Sequence, residues 1–234
     1  MKRLQKGFTL VEIAIVLVII GLLLGGILKG QEMITQAKIK NIIADFSGIS
    51  AAYHGYVDRY KKIPGDDPCA GPGAALTTAN GCGSTPTARW ATASAGGTGN
   101  GQVAGKYNSA TVTDESRLWW EHLRLAGFVA GTATQQPFNA VSGMIGVQTG
   151  DAQATVGAAL GGFVGIIICS ANLPDKITIA ADTQMDDGIP NTGTVRGALH
   201  TGGPNPDIGG AGGIAVSTAY AETGTNVYTL CRSL

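Results

Sequence analysis

The hydrophobic pattern of the chain changes character once, early. Phe8 to Leu28 is a 21-residue apolar run broken by a single ionisable side chain, Glu12, and it follows three cations, Lys2, Arg3 and Lys6. At about 1.5 Å per residue the run predicts a helix of roughly 31 Å, which matches a bilayer core. Beyond it the pattern becomes a stripe. Ile39, Ile42, Ile43, Phe46, Ile49, Tyr53, Val57 and Tyr60 recur at spacings of three or four, with Lys38, Lys40, Asp45 and Asp58 between them. That is an amphipathic helix. No proline occurs from Lys29 to Ile63, so both patterns predict one helix from about Thr9 to about Lys61, roughly 53 residues and ~80 Å long. Its first half has nothing of its own to pack on, which leaves lipid or copies of itself as partners.

Ile63-Pro64-Gly65-Asp66-Asp67-Pro68 ends this helix with turn chemistry. Cys69 to Lys106 is rich in Ala, Gly, Ser and Thr and predicts a long loop with little core-forming material. Thr113 or Asp114 is expected to cap a short helix, SRLWWEHLRLA, that Gly127 ends. Leu118, Trp119, His122, Leu125 and Ala126 share one of its faces, and Trp119 is expected to anchor the domain against the stem helix. Strands are expected at Val141–Gln148, Phe163–Cys169, Ile214–Thr218 and Val227–Cys231. Pro174–Met185 reads as a short helix with proline at its first position. Asp186-Asp187-Gly188 and Asn191-Thr192-Gly193 then make a turn-rich loop. The elements predict an α+β chain, a long N-terminal helix packed on a small antiparallel sheet.

Composition refines this picture. Formal net charge is zero, so nothing global points to nucleic acid; the charged fraction is 14% and glycine numbers 36, which fits a loop-rich, sheet-containing domain rather than a charged bundle. The apolar run is longer than a secretory signal core, and no AxA-like site follows it; the small residue at a boundary is Gly7, before the run. The cations on that side place residues 1–7 in the cytoplasm and the bulk of the chain outside. Cys69, Cys82, Cys169 and Cys231 form an even set without a CxxC pair, which past a membrane segment reads as two disulfides in an oxidising compartment. A Cys69–Cys82 bridge would close a small loop, and Cys169 and Cys231 each end an apolar strand pattern, though connectivity stays open at this level. Gly21 to Gly25 and Gly26 to Gly30 are consecutive GxxxG patterns that let helices approach closely in lipid.

Lys6-Gly7-Phe8-Thr9-Leu10-Val11-Glu12 resembles the processing motif of type IV pilins and of the pseudopilins of type II secretion systems. The resemblance implies cleavage between Gly7 and Phe8 by a membrane prepilin peptidase, and N-methylation of the new Phe8 amine. It implies that Glu12 pairs with the terminal amine of a neighbouring subunit during assembly. It implies a ladle-shaped fold with four parts: a leader at 1–7, a transmembrane and polymerisation helix at 8–28, an amphipathic stem at 29–62 and an extracytoplasmic domain at 63–234. Partners would be other pilins in a filament, the peptidase, an inner-membrane assembly platform and, before assembly, membrane lipid. An internal Phe8–Glu12 pair is the competing geometry, since the two lie four residues apart. Many type IVa pilins carry a helix-breaking proline where this chain has Lys29; Gly21, Gly25 and Gly26 are the residues left to loosen that region. The alternatives within and beyond the family are a secretion pseudopilin and a membrane-tethered periplasmic binding domain with an uncleaved anchor.

Catalytic patterns are weak. Gly99-Asn100-Gly101-Gln102-Val103-Ala104 fits a loose GxGxxA but lacks the preceding strand and following helix of a dinucleotide finger. Tyr107 stands where a phosphate loop needs Ser or Thr after Gly105-Lys106. His54, His122 and His200 show no HExxH spacing, and no GxSxG occurs. No catalytic residue and no resident organic cofactor are expected. Two acidic loops remain, Asp66-Asp67 and Asp182 with Asp186 and Asp187. The second is a calcium candidate, since hard cations take several oxygens from turn-rich loops and the resemblance implies a calcium site in the C-terminal region of major pseudopilins. It lacks the alternating DxDxDG spacing.

Overall fold

The computed structural model describes residues 9–150, 160, 162–163, 165–200, 202–208, 214 and 216–234. The leader, with Gly7 and Phe8, lies outside the described residues. The chain divides into two compact units, Met1–Lys38 and Ile39–Leu234.

Helix α1, Leu10–Tyr60, runs through the first unit into the second. It stops at Tyr60 because Lys61 takes a left-handed φ of 55° while its N–H still reaches Val57 O at 2.8 Å, a common way to close a last turn. In the first unit every large apolar side chain from Leu10 to Ile34 is exposed, Leu10 by 90% and Leu22 by 73%.

In the second unit Ile43, Tyr53, Val57 and Tyr60 of the expected stripe are half-buried, whereas Ile39, Ile42, Phe46 and Ile49 are buried, joined by Ala52 and Tyr56, which the stripe does not include. The buried side chains pack with Trp119, Trp120 and Leu123 of α2 (Glu115–Leu125). Tyr53 of α1 stacks on Trp119, ring centroids 6.5 Å apart. Four antiparallel strands form one sheet in the order β1-β2-β4-β3: β1 Ile145–Thr149, β2 Ile166–Pro174, β3 Val195–Leu199 and β4 Val227–Ser233. Strand alternation divides the sheet between two cores. Ile166 and Ile168 join the α1/α2 core, whereas Ile167, Cys169 and Cys231 join a second one with Tyr107, Phe163 and Ile208. Between β2 and β3, α3 (Asp175–Met185) packs Ile177 and Ala181 into the first core, with Pro174 as its N-cap rather than its first helical residue.

Two expectations about strands are corrected. Ile214–Thr218 is not a strand: Ile214 makes an isolated parallel bridge to Ile208, and 216–218 carry no strand pairing. Its apolar side chains serve the second core singly instead of a ladder. The edge strand β3 lies just after the turn-rich loop, where the pattern predicts no strand. Arg196 and Gly197 weaken its strand signal, yet Gly197 is needed there, because a Cβ would meet the Tyr220 ring at 2.5–2.9 Å.

Cys169 and Cys231 lie directly opposite one another in β2 and β4 and are bridged; the second disulfide joins Cys69 to Cys82. The glycine-rich loop that follows α1 buries a few apolar side chains, Val103 among them, and is held besides by buried carboxylates. Glu115 accepts the N–H groups of Thr98 at 2.7 Å and Ala104 at 2.8 Å, and Glu121 accepts that of Ser94 at 3.0 Å. Asp67 accepts Tyr56 Oη at 2.7 Å, Cys69 N–H at 2.9 Å and the Arg89 guanidinium.

Candidate assembly site

Glu12 occupies the first turn of α1. Thr9 precedes the helix, and the two residues satisfy each other. The Thr9 backbone N–H and hydroxyl both donate to Glu12 Oε2 at 2.8 Å, and the Glu12 N–H donates to Thr9 Oγ1 at 3.3 Å. This is a capping box, in which a T-x-x-E spacing pairs side chains with two otherwise orphaned backbone donors. It also sets a carboxylate at the helix end where the backbone dipoles favour negative charge. The arrangement supplies Glu12 with local partners and keeps its charge at the head of an exposed apolar helix.

Residues 2–28 match the family model for the prokaryotic N-terminal methylation motif. By length and composition α1 can cross a membrane. Motif and helix together fit a type IV pilin or pseudopilin. No curated protein and no solved structure matches the chain. The motif belongs to structural pilin-type proteins rather than enzymes, it implies assembly with other pilins and handling by a prepilin peptidase, and with the apolar helix it points to membrane anchoring.

Elsewhere in the chain, the candidate chemistry falls mostly into structural roles. The N–H groups of Gly99, Asn100 and Gly101, which a phosphate would need, are taken by Asp66 at 2.6, 3.0 and 2.7 Å. Lys106 pairs with Asp207. His122 is buried, with Nδ1 accepting Gly65 N–H and Nε2 facing Ala95 O, both at 3.0 Å; burial pushes its pKa down. His200 meets Thr229 Oγ1 at 2.6 Å, and burial pushes it down to about 4. His54 is exposed on α1.

The acidic loop after α3 does come together. Asp182, Asp186 and Asp187 each present an oxygen within 4.8 Å of the others. Asp182 is fully buried; Tyr220 Oη donates to its Oδ2 at 2.5 Å, and its Oδ1 has no hydrogen-bond partner among the described residues. Asp186 Oδ2 accepts the N–H groups of Thr194 at 2.5 Å and Val195 at 2.9 Å, tying the loop to β3. Asp187 accepts Ile189 N–H at 2.8 Å and Thr192 Oγ1 at 2.5 Å, contacts that hold its carboxyl below the usual range. Burial, with the charges of Asp187 and Asp186 beside it, pushes Asp182 up to about 6 against the Tyr220 hydrogen bond. An all-carboxylate set with one orphaned buried oxygen fits a hard divalent cation such as Ca²⁺. Two contributors carried a weak sequence signal: Thr9, through the T-x-x-E spacing, and Tyr220, which is distant in sequence from Asp182.

Proposed function

We propose that this chain is a structural subunit of a type IV pilus-like filament. It is made as an inner-membrane precursor, cut between Gly7 and Phe8, methylated at Phe8 and assembled through α1, with the domain that follows on the far side of the membrane. The observation that carries this is the conjunction at the head of α1: a methylation motif, a lone carboxylate, and an apolar surface exposed from Leu10 to Ile34. Removing the leader creates an ammonium on Phe8 at the depth of Glu12. Each charge is costly alone in low dielectric, and a pair offsets much of that cost. Filament formation exchanges lipid contacts on α1 for helix packing, and Glu12 sets the register. The two disulfides suit an oxidising compartment.

Mass spectrometry of the mature N-terminus tests the processing step. Methylated Phe8 is expected; an intact Met1 would favour a tethered binding domain with an uncleaved anchor. Glu12→Ala is expected to be processed yet poorly incorporated into filaments, and normal incorporation would count against the mechanism. One observation favours a second role, as a secretion pseudopilin: the carboxylate cluster of Asp182, Asp186 and Asp187 suits calcium. In that role those three residues would hold the ion, whose charge would neutralise the loop between α3 and β3.

A further inference from the structure

Within the second unit, α1 borders a groove of about 340 Å³. Ala44, Gly48 and Ile49 line it from the helix, and Phe128 and Phe138, 37% and 59% exposed, line it from the rest of the domain. Its lining contains one ionisable side chain, Asp45. Asp45 is half-buried and makes no hydrogen bond or ion pair among the described residues, and burial pushes its carboxyl up. A lone, partly desolvated carboxylate in a groove lined otherwise by apolar residues is complementary to a cation on a long apolar stem.

We infer that this groove receives α1 of a second copy of the chain, with Lys40 of that copy meeting Asp45. The inference rests on the assembly role proposed above. If Glu12 of one copy pairs with the Phe8 amine of the next, parallel copies are displaced by four residues along α1. Asp45 then lies level with residue 41 of the neighbour, and Lys40 is one residue away, about 1.5 Å along the axis. Lys40 is exposed and has no ion pair among the described residues. Lys40 and Asp45 are five residues apart, so they point about 140° away from each other around the helix. A copy that offers Lys40 to one neighbour therefore keeps its own groove open for another. Such a contact is head-to-tail and propagates instead of closing into a pair. Lys38, seven residues from Asp45, shares its side of the helix within about 20° and would not propagate.

The test uses the full chain in a host with a prepilin peptidase and filament-assembly system. Mild oxidation of Asp45→Cys/Lys40→Cys is expected to give a ladder of covalent oligomers that neither single variant gives. Asp45→Lys is expected to lower the sheared filament fraction about tenfold, and adding Lys40→Asp to the same chain restores it. Gly48→Leu blocks the groove without a backbone clash, since a Cβ there meets no atom within 4 Å; it is expected to keep or raise the thermal midpoint, glycine being a poor helix former, and to abolish the ladder. Processed chain that gives no ladder, filaments at wild-type yield from Gly48→Leu, or a double charge swap that fails to restore assembly would each overturn the contact. An intact Met1 would instead overturn the assembly role beneath it.

Discussion

The carboxylate of Asp66 accepts the backbone N–H of Gly101 at 2.7 Å, across 35 positions of sequence. Its other oxygen accepts Gly99 and Asn100, and the Thr98 hydroxyl at 3.1 Å. One side chain thus organises the centre of a loop that has few apolar side chains to fold around. Gly97 completes the contact, because a Cβ there would run into the backbone of Gly65 and Asp66.

Replacing Asp66 by Ala removes a buried acceptor shared by four donors whose own residues remain exposed to water. Hydrogen bonds to a carboxylate are the strong ones, and water replaces only part of what is lost. The expected loss is about 2 kcal/mol in urea unfolding of the full chain in detergent, with Asp66→Asn intermediate. New proteolytic cleavage between residues 94 and 106 should accompany it.

This loop also marks where sequence patterns stop being informative. The periodic stripe from Ile39 to Ile49 was legible, because burial on one face of a helix repeats every 3.6 residues and needs no knowledge of the partner. The aromatic α2 was legible for the same reason. A carboxylate that reaches backbone donors 35 residues away has no periodicity, so Asp66 and Asp67 read as turn formers and an acidic loop. β3 was hidden because the ring of Tyr220 demands a glycine at 197, and glycine weakens any strand pattern. At the candidate site, Glu12 stood out by its cost in an apolar run, whereas its partner Thr9 was visible only in the T-x-x-E spacing.

The two disulfides should fail differently. Cys169 and Cys231 are separated by 62 positions and join central strands, whereas Cys69 and Cys82 are separated by 13 and sit in the loop. On loop-closure entropy alone, the Cys169→Ala/Cys231→Ala pair is expected to cost about 4 kcal/mol and the Cys69→Ala/Cys82→Ala pair about 3 kcal/mol. The first should lower the global thermal midpoint. The second should mainly expose residues 69–90 to limited proteolysis.

Asp182 supplies a pH signature. Its carboxyl titrates near 3.8 in an unfolded chain and is pushed up to about 6 in the fold, so the fold favours the protonated form. That contribution is complete below pH 3.8 and is lost as pH rises through about 6. Asp182→Asn mimics the protonated form, so its melting temperature should gain on the wild type between pH 4 and pH 7.5. Millimolar Ca²⁺ should raise the melting temperature of the wild-type chain at pH 7.5 and leave Asp182→Asn unmoved. A chelator-stripped wild-type chain that shows no shift would remove the cation from the proposal.

Thr9 separates two reasons for keeping a carboxylate at position 12. As the acidic member of a capping box, Glu12 matters through Thr9, whose hydroxyl and N–H it accepts. As the partner of a neighbouring Phe8 amine, it matters through its charge. Thr9→Ala removes the hydroxyl half of the box, and loss of a cap of this kind costs about 1 kcal/mol, a cost confined to the first turn of a 51-residue helix. Thr9→Ala filaments should therefore form at near wild-type yield, while Glu12→Ala, which removes the charge as well, should be processed and remain in the membrane. Comparing processed and sheared pools for the two variants decides between the roles. Equal defects would make Glu12 a helix cap and leave intersubunit pairing without support.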